Sequence, residues 1–172
     1  MSSTFLLEIG TEELPASFVR SALTQLQQTV ELDLAELRLG HGQVTVTGTP
    51  RRLVVLVESL IDRQPDLEEE RKGPPVKQAI VNGQPGPAAI GFAKRCGVDP
   101  AELKSRDTAK GLCLYALVRT SGENTTALLK KRIPAWIDGL QGKRFMRWGE
   151  GERRFSRPVR WLVSLYGSEL IP

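Results

Sequence analysis

Gln43-Val44-Thr45-Val46-Thr47-Gly48-Thr49-Pro50-Arg51-Arg52-Leu53-Val54-Val55-Leu56-Val57 is the stretch that decides the fold. Residues 43–47 alternate and are rich in β-branched side chains, which suits a strand with one buried face. Gly48-Thr49-Pro50 is a turn, and Leu53 to Val57 follows as an apolar run buried on both faces or nearly so. Two strands this close in sequence pair as an antiparallel hairpin.

Before the hairpin, Phe5-Leu6-Leu7-Glu8-Ile9 reads as a first strand that stops at Gly10. Glu12, Glu13 and Pro15 are what a helix N-terminus favours, because carboxylates complement the positive end of the dipole and proline gives up no needed donor in the first turn. Phe18, Ala22, Leu23, Leu26, Val30, Leu34 and Leu37 then recur at helical spacing up to Gly40-His41-Gly42.

After the hairpin, residues 62–87 are polar, acidic and rich in glycine and proline, and read as a surface excursion. A helix is expected over Ala88 to Cys96 with Gly97 as its cap, a short one from Pro100, and a strand over Leu112 to Val118. Asn124 to Leu140 is a second long helix with Leu128, Leu129, Ile133, Trp136, Ile137 and Leu140 on one face and Pro134 inside it. Arg160 to Tyr166 is a last strand, and Gly167-Ser168 turns it toward Leu170-Ile171. Strands grouped in pairs, with two long helices, indicate an α+β fold built mostly on antiparallel sheet. A strand met so close to Pro172 suggests a truncated piece of a longer protein.

Charge is unevenly spread. The formal net charge is +4, yet residues 1–50 hold six acids against two arginines, and residues 130–160 hold ten cations against three acids. That density calls for an anionic partner, of which a phosphate backbone is the commonest. The candidate nucleic-acid-binding residues are Lys143, Arg144, Arg147, Arg153, Arg154, Arg157 and Arg160. Trp148 and Trp161 either stack on bases or plug a core, with the arginines in ion pairs or cation–π contacts; the core role is the one favoured. Of Arg51 and Arg52, one falls on the packed face of the sheet or near its edge and needs a partner there, either an ion pair with Glu8, Glu12 or Glu13 or an RNA contact.

Several chemistries find no support. Cys96 and Cys113 have no CxxC spacing, and His41 is the only histidine, so no zinc set is expected. No glycine-rich phosphate loop and no nucleophile motif is present, and Glu12-Glu13 reads as dipole chemistry in preference to a catalytic pair. The N-terminus lacks the features of a secretory signal and no apolar run approaches membrane-spanning length; with so few cysteines, a reducing cytoplasm is expected.

Six blocks together carry a resemblance: Leu6 to Pro15, Thr49 to Leu53, Lys72-Gly73-Pro74, Gly91-Phe92-Ala93, Met146-Arg147-Trp148-Gly149, and Phe155 to Trp161. In this order they resemble the N-terminal region of the bacterial glycyl-tRNA synthetase β subunit, over nearly the whole chain. The resemblance implies a longer β subunit with residues 1–172 as an N-terminal α+β domain similar to the editing-type domains of the phenylalanyl-tRNA synthetase β subunit. It implies an α2β2 enzyme that joins glycine to tRNA(Gly) with ATP and magnesium, the catalytic domain lying in the α subunit. This segment is then expected to hold no catalytic, metal or cofactor site, and its partners to be tRNA, the α subunit and the remaining β-subunit domains. Three roles stay open: tRNA binding, a scaffold docking the α subunit or later β domains, and a vestigial editing domain.

Overall fold

The hairpin read from residues 43–57 is present, set within a larger antiparallel sheet. The structure, a computed structural model, describes residues 1–108 and 111–172. In chain order the elements are β1 (Ser2–Thr11), α1 (Ala16–Glu36), β2 (Val44–Thr49), β3 (Arg52–Ile61), β4 (Leu67–Pro75), α2 (Val76–Ala79), β5 (Ile80–Val81), β6 (Gln84–Pro85) and α3 (Pro87–Cys96). A 3-10 turn at Pro100–Glu102 follows, then β7 (Lys104–Arg106), β8 (Cys113–Thr120), α4 (Thr125–Asp138), β9 (Met146–Arg147), β10 (Arg154–Phe155), β11 (Val159–Tyr166) and β12 (Glu169–Leu170). The class is α+β with antiparallel sheets, as the paired strands imply. The chain forms two compact units: Met1–Pro65 with Glu123–Pro172, and Asp66–Gly122.

The first unit is a five-stranded sheet in the order β12-β11-β1-β3-β2. Alternation puts Phe5, Leu7 and Ile9 of β1 and Leu53, Val55 and Val57 of β3 into the core with α1 and α4. Their neighbours Leu6, Val54, Leu56, Val163 and Leu165 are only half-buried, because they point to the sheet face away from the helices. Trp136 of α4 is buried, meets Phe5 edge-on at 6.1 Å between centroids, and donates its indole N–H to Asp33 Oδ2 on α1 at 2.6 Å.

Both ends of α1 differ from the sequence expectation. The helix starts at Ala16 with Pro15 as its cap, so its first turn contains no acid and Glu12 and Glu13 lie outside it. It stops at Glu36, before the glycines. Arg38 takes a left-handed φ of 55° and donates to the Ala35 carbonyl, and Leu39 N–H reaches back to the Leu34 carbonyl at 2.9 Å. Those two bonds form a Schellman cap, closed by burial of Leu34 and Leu39 in the same core.

The second unit is a three-stranded sheet, β4-β8-β7, with a small core of Ala79, Ala89, Phe92, Cys96, Leu114 and Ala116. Residues 67–75, read as part of an excursion, are a strand. Glu68 through Lys72 are all exposed, so the period-2 apolar signal is missing. The strand is held by its backbone ladder to β8 and by side-chain ion pairs, Glu68 to Arg119 at 2.7 Å and Glu70 to Arg106 at 2.8 Å. Asn82-Gly83 joins β5 to β6 with positive φ at both residues (51° and 78°), the geometry that hairpin turns of this length prefer. No helix among the described residues is long and apolar enough to cross a membrane.

Candidate nucleic-acid interface

The basic segment after α4 is fastened to the first turns of α1 by aromatic packing. Phe18 of α1 meets Phe145 at 5.3 Å and Phe155 at 5.8 Å, both edge-on, and Phe145 lies 5.7 Å from Phe155. Gly142 permits this approach: a Cβ there would stand 2.5 Å from the Phe145 ring and 2.7 Å from that of Phe18. The side-chain amide of Gln25 grips the backbone of Gln141 twice, accepting from its N–H at 2.8 Å and donating to its carbonyl at 3.0 Å. Trp148 Nε1 donates to the Phe155 carbonyl at 3.0 Å and ties β9 to β10.

These contacts leave a cleft of about 450 Å3 at the α1 N-terminus. It is lined by Lys143, Arg144 and Arg157 with Ser17, Ser21 and Ser156. None of the three cations has a carboxylate within 4.0 Å among the described residues; Arg157 donates to the Ser156 carbonyl at 2.8 Å. α1 has no side-chain cap and no acid in its first turn, so its free N–H groups and the positive end of its dipole add to the same field. Arg144 is held at φ 60°, a strained value for a side chain larger than glycine. Chemically, the cleft can hold an anion such as a phosphate and offer hydroxyls to its oxygens.

The seven sequence candidates therefore separate. Lys143, Arg144 and Arg157 come together. Arg147 and Arg154 face each other across the β9–β10 ribbon, and Arg147 pairs with Glu152 at 3.3 Å. Arg153 pairs with Asp138 at 3.6 Å, and Arg160 with Glu12 at 3.4 Å. The tryptophans separate too: Trp148 packs partly buried against the core, whereas Trp161 is 42% exposed on the outer sheet face. Arg52 pairs with Glu8, at 3.6 Å, on the sheet face away from the helices. Sequence reasoning missed the three serines and the bare α1 N-terminus. The signal available was the absence of any acid from Ala16 to Val19.

Among the described residues, no group of three or more His, Cys, Asp or Glu side chains is placed to hold a metal ion. Beside Pro15, Phe18 and Gly142, the side chains lining the cleft are cations and hydroxyls with no carboxylate, so its donors do not fit magnesium.

Fold and cleft together describe an α+β module with a basic edge. A family model described as glycyl-tRNA synthetase beta subunit matches residues 5–172. Similar curated proteins are glycine–tRNA ligase beta subunits. That of Trichodesmium erythraeum is 49% identical over 172 residues, all of this chain and 24% of the relative. That of Acaryochloris marina is 51% identical over 170 residues, 99% of this chain and 24% of the relative. That of Desulforamulus reducens is 43% identical over 173 residues, all of this chain and 25% of the relative. The chain belongs to the glycyl-tRNA synthetase β-subunit family and spans about a quarter of the length of the curated relatives it matches.

Proposed function

We propose that this chain is the N-terminal module of a glycine–tRNA ligase β subunit and that it holds tRNA through the cleft at the α1 N-terminus, making no bond of its own. The observation that carries the reading is the convergence of Lys143, Arg144 and Arg157, free of carboxylate partners among the described residues, on an uncapped helix N-terminus. Elsewhere in the segment Arg147, Arg153 and Arg160 are met internally by Glu152, Asp138 and Glu12, while Arg154 on the β9–β10 ribbon has no carboxylate within 4.0 Å among the described residues. In this reading ATP and magnesium act in the α subunit of an α2β2 enzyme in the cytoplasm, and this module contributes RNA contact.

Binding of a tRNA(Gly) transcript at two salt concentrations tests it. Each cation that meets a phosphate contributes about 0.7–0.9 to the slope of log K against log salt. Lys143→Ala/Arg144→Ala/Arg157→Ala is expected to flatten that slope by about 2–3. Arg153→Ala, whose partner is Asp138, is expected to change it little. An unaltered slope in the triple variant overturns the role of the cleft.

One observation favours a second role. The outer sheet face presents Leu6, Val54, Leu56, Val163 and Leu165 half-buried beside the exposed Trp161. An apolar face of this kind suits docking of the α subunit or of later β-subunit domains. Capture of isolated α subunit by this chain, lost on Leu56→Glu with the fold intact, would support that role; capture unaffected by the substitution would remove it.

A further inference from the structure

We infer that the second unit carries an RNA-backbone groove of its own, between the end of β4 and α3. This rests on the reading that the chain contacts RNA. An open depression of about 950 Å3 lies there, lined by Lys72, Gly73, Pro74, Pro87, Gly91 and Arg95 among others. Its two glycines have different explanations. A Cβ on Gly73 would stand 2.5 Å from the Phe92 ring, so packing of β4 on Phe92 requires glycine at that position. Gly91 lies in the interior of α3, where a Cβ would meet nothing within 4 Å. Glycine weakens a helix interior relative to alanine, and no neighbouring atom demands it here. What the missing methyl supplies is open access to the helix surface from the groove.

The charge points to what approaches. No carboxylate lines the depression. Glu68, Glu69 and Glu70 are engaged by Arg119, Arg71 and Arg106. Lys72 and Arg95 have no carboxylate within 4.0 Å among the described residues. A ligand for this groove is anionic and narrow enough to lie against a helix with no side chain at residue 91. The rings of Pro74 and Pro87 give it an apolar surface to rest on. A phosphodiester strand meets these conditions, with phosphates on Lys72 and Arg95 and a sugar or base over Gly91.

The experiment uses this chain and a tRNA(Gly) transcript, with Gly91→Ala and Lys72→Ala/Arg95→Ala alongside Lys143→Ala/Arg144→Ala/Arg157→Ala. Gly91→Ala is expected to raise Tm by about 2–4 °C, since alanine is the better helix former and has room. It is also expected to raise the Kd for tRNA about tenfold, as one methyl is forced into a tight contact. Lys72→Ala/Arg95→Ala is expected to flatten the salt slope by about 0.7–0.9 for each cation removed. If only the cleft variant weakens binding, the groove is overturned and the cleft stands. If only the groove variants do, the groove stands and the cleft falls. If the chain binds no tRNA at low salt, both fall. Polyglutamate that binds as tightly as tRNA and responds equally to Gly91→Ala would also overturn the assignment to RNA.

Discussion

The indole of Trp161 covers Gly10: a Cβ at residue 10 would stand 1.9 Å from Cε2 of the ring, and the indole N–H donates to Glu8 Oε1 at 2.7 Å. The two residues face each other across β1 and β11. Gly10 is therefore required by a neighbour, and the neighbour is an aromatic side chain held from β1 itself. Gly10→Ala is expected to destabilise the chain by about 2–3 kcal/mol through overpacking. In a Trp161→Ala background the same substitution should cost less than about 1 kcal/mol, because the obstructing ring is gone. Urea unfolding of the four members of this cycle measures the coupling; equal costs in both backgrounds would contradict it.

Asp33 joins the two long helices of the first unit. Its Oδ2 accepts from Trp136 Nε1 at 2.6 Å and its Oδ1 lies 3.8 Å from Arg132 Nη1. Trp136 is 1% exposed, so loss of its acceptor leaves an indole N–H with no water to replace it. Asp33→Ala is expected to lower unfolding free energy by about 1–3 kcal/mol. Asp33→Asn, which keeps an acceptor oxygen, should recover most of that in the same denaturant titration.

Much of the fold is legible in the sequence where burial follows a period. The β2–β3 hairpin and β11 form where their apolar residues predict, and so does the body of α1, whose two ends alone depart from the expectation. β4 is not legible, because ion pairs and a backbone ladder hold it and no apolar stripe marks it. The basic edge is legible as composition but not as a site. Nothing in residues 143–160 separates Lys143, Arg144 and Arg157 from Arg153 and Arg160. The separation comes from Asp138 at the end of α4 and from Glu12 near the start of the chain, which reach Arg153 and Arg160 only after folding.

Arg144 combines strain with exposure to the cleft. At φ 60° it occupies the left-handed region, which costs a side-chain-bearing residue about 1–2 kcal/mol and glycine almost nothing. Arg144→Gly should stabilise the chain by about 0.5–1 kcal/mol once the greater unfolded-state freedom of glycine is counted. It should also weaken tRNA binding and flatten its salt slope by about 0.7–0.9. Thermal unfolding and filter binding on one preparation test the two signs together. A variant both more stable and unchanged in RNA affinity would remove Arg144 from the cleft's function.

Tyr166 gives the chain a pH dependence on the alkaline side. Its hydroxyl donates to the Leu60 carbonyl at 2.8 Å, tying β11 to β3. Burial, and next the negative charge of Asp62, raise its pKa above the ordinary value of 10.0. A raised phenol pKa means that the folded chain retains a proton the unfolded chain gives up. The contribution is thus complete below pH 10.0 and declines as pH climbs from there toward the folded-state value. Tyr166→Phe should lose about 1 kcal/mol at neutral pH, the net worth of the hydrogen bond. Its stability should then fall less steeply than that of the parent chain between about pH 10 and 11. Denaturant midpoints at pH 7, 10 and 11 measure the difference between the two chains; a gap that fails to narrow on the alkaline side would show that the phenol stays protonated in neither state more than the other.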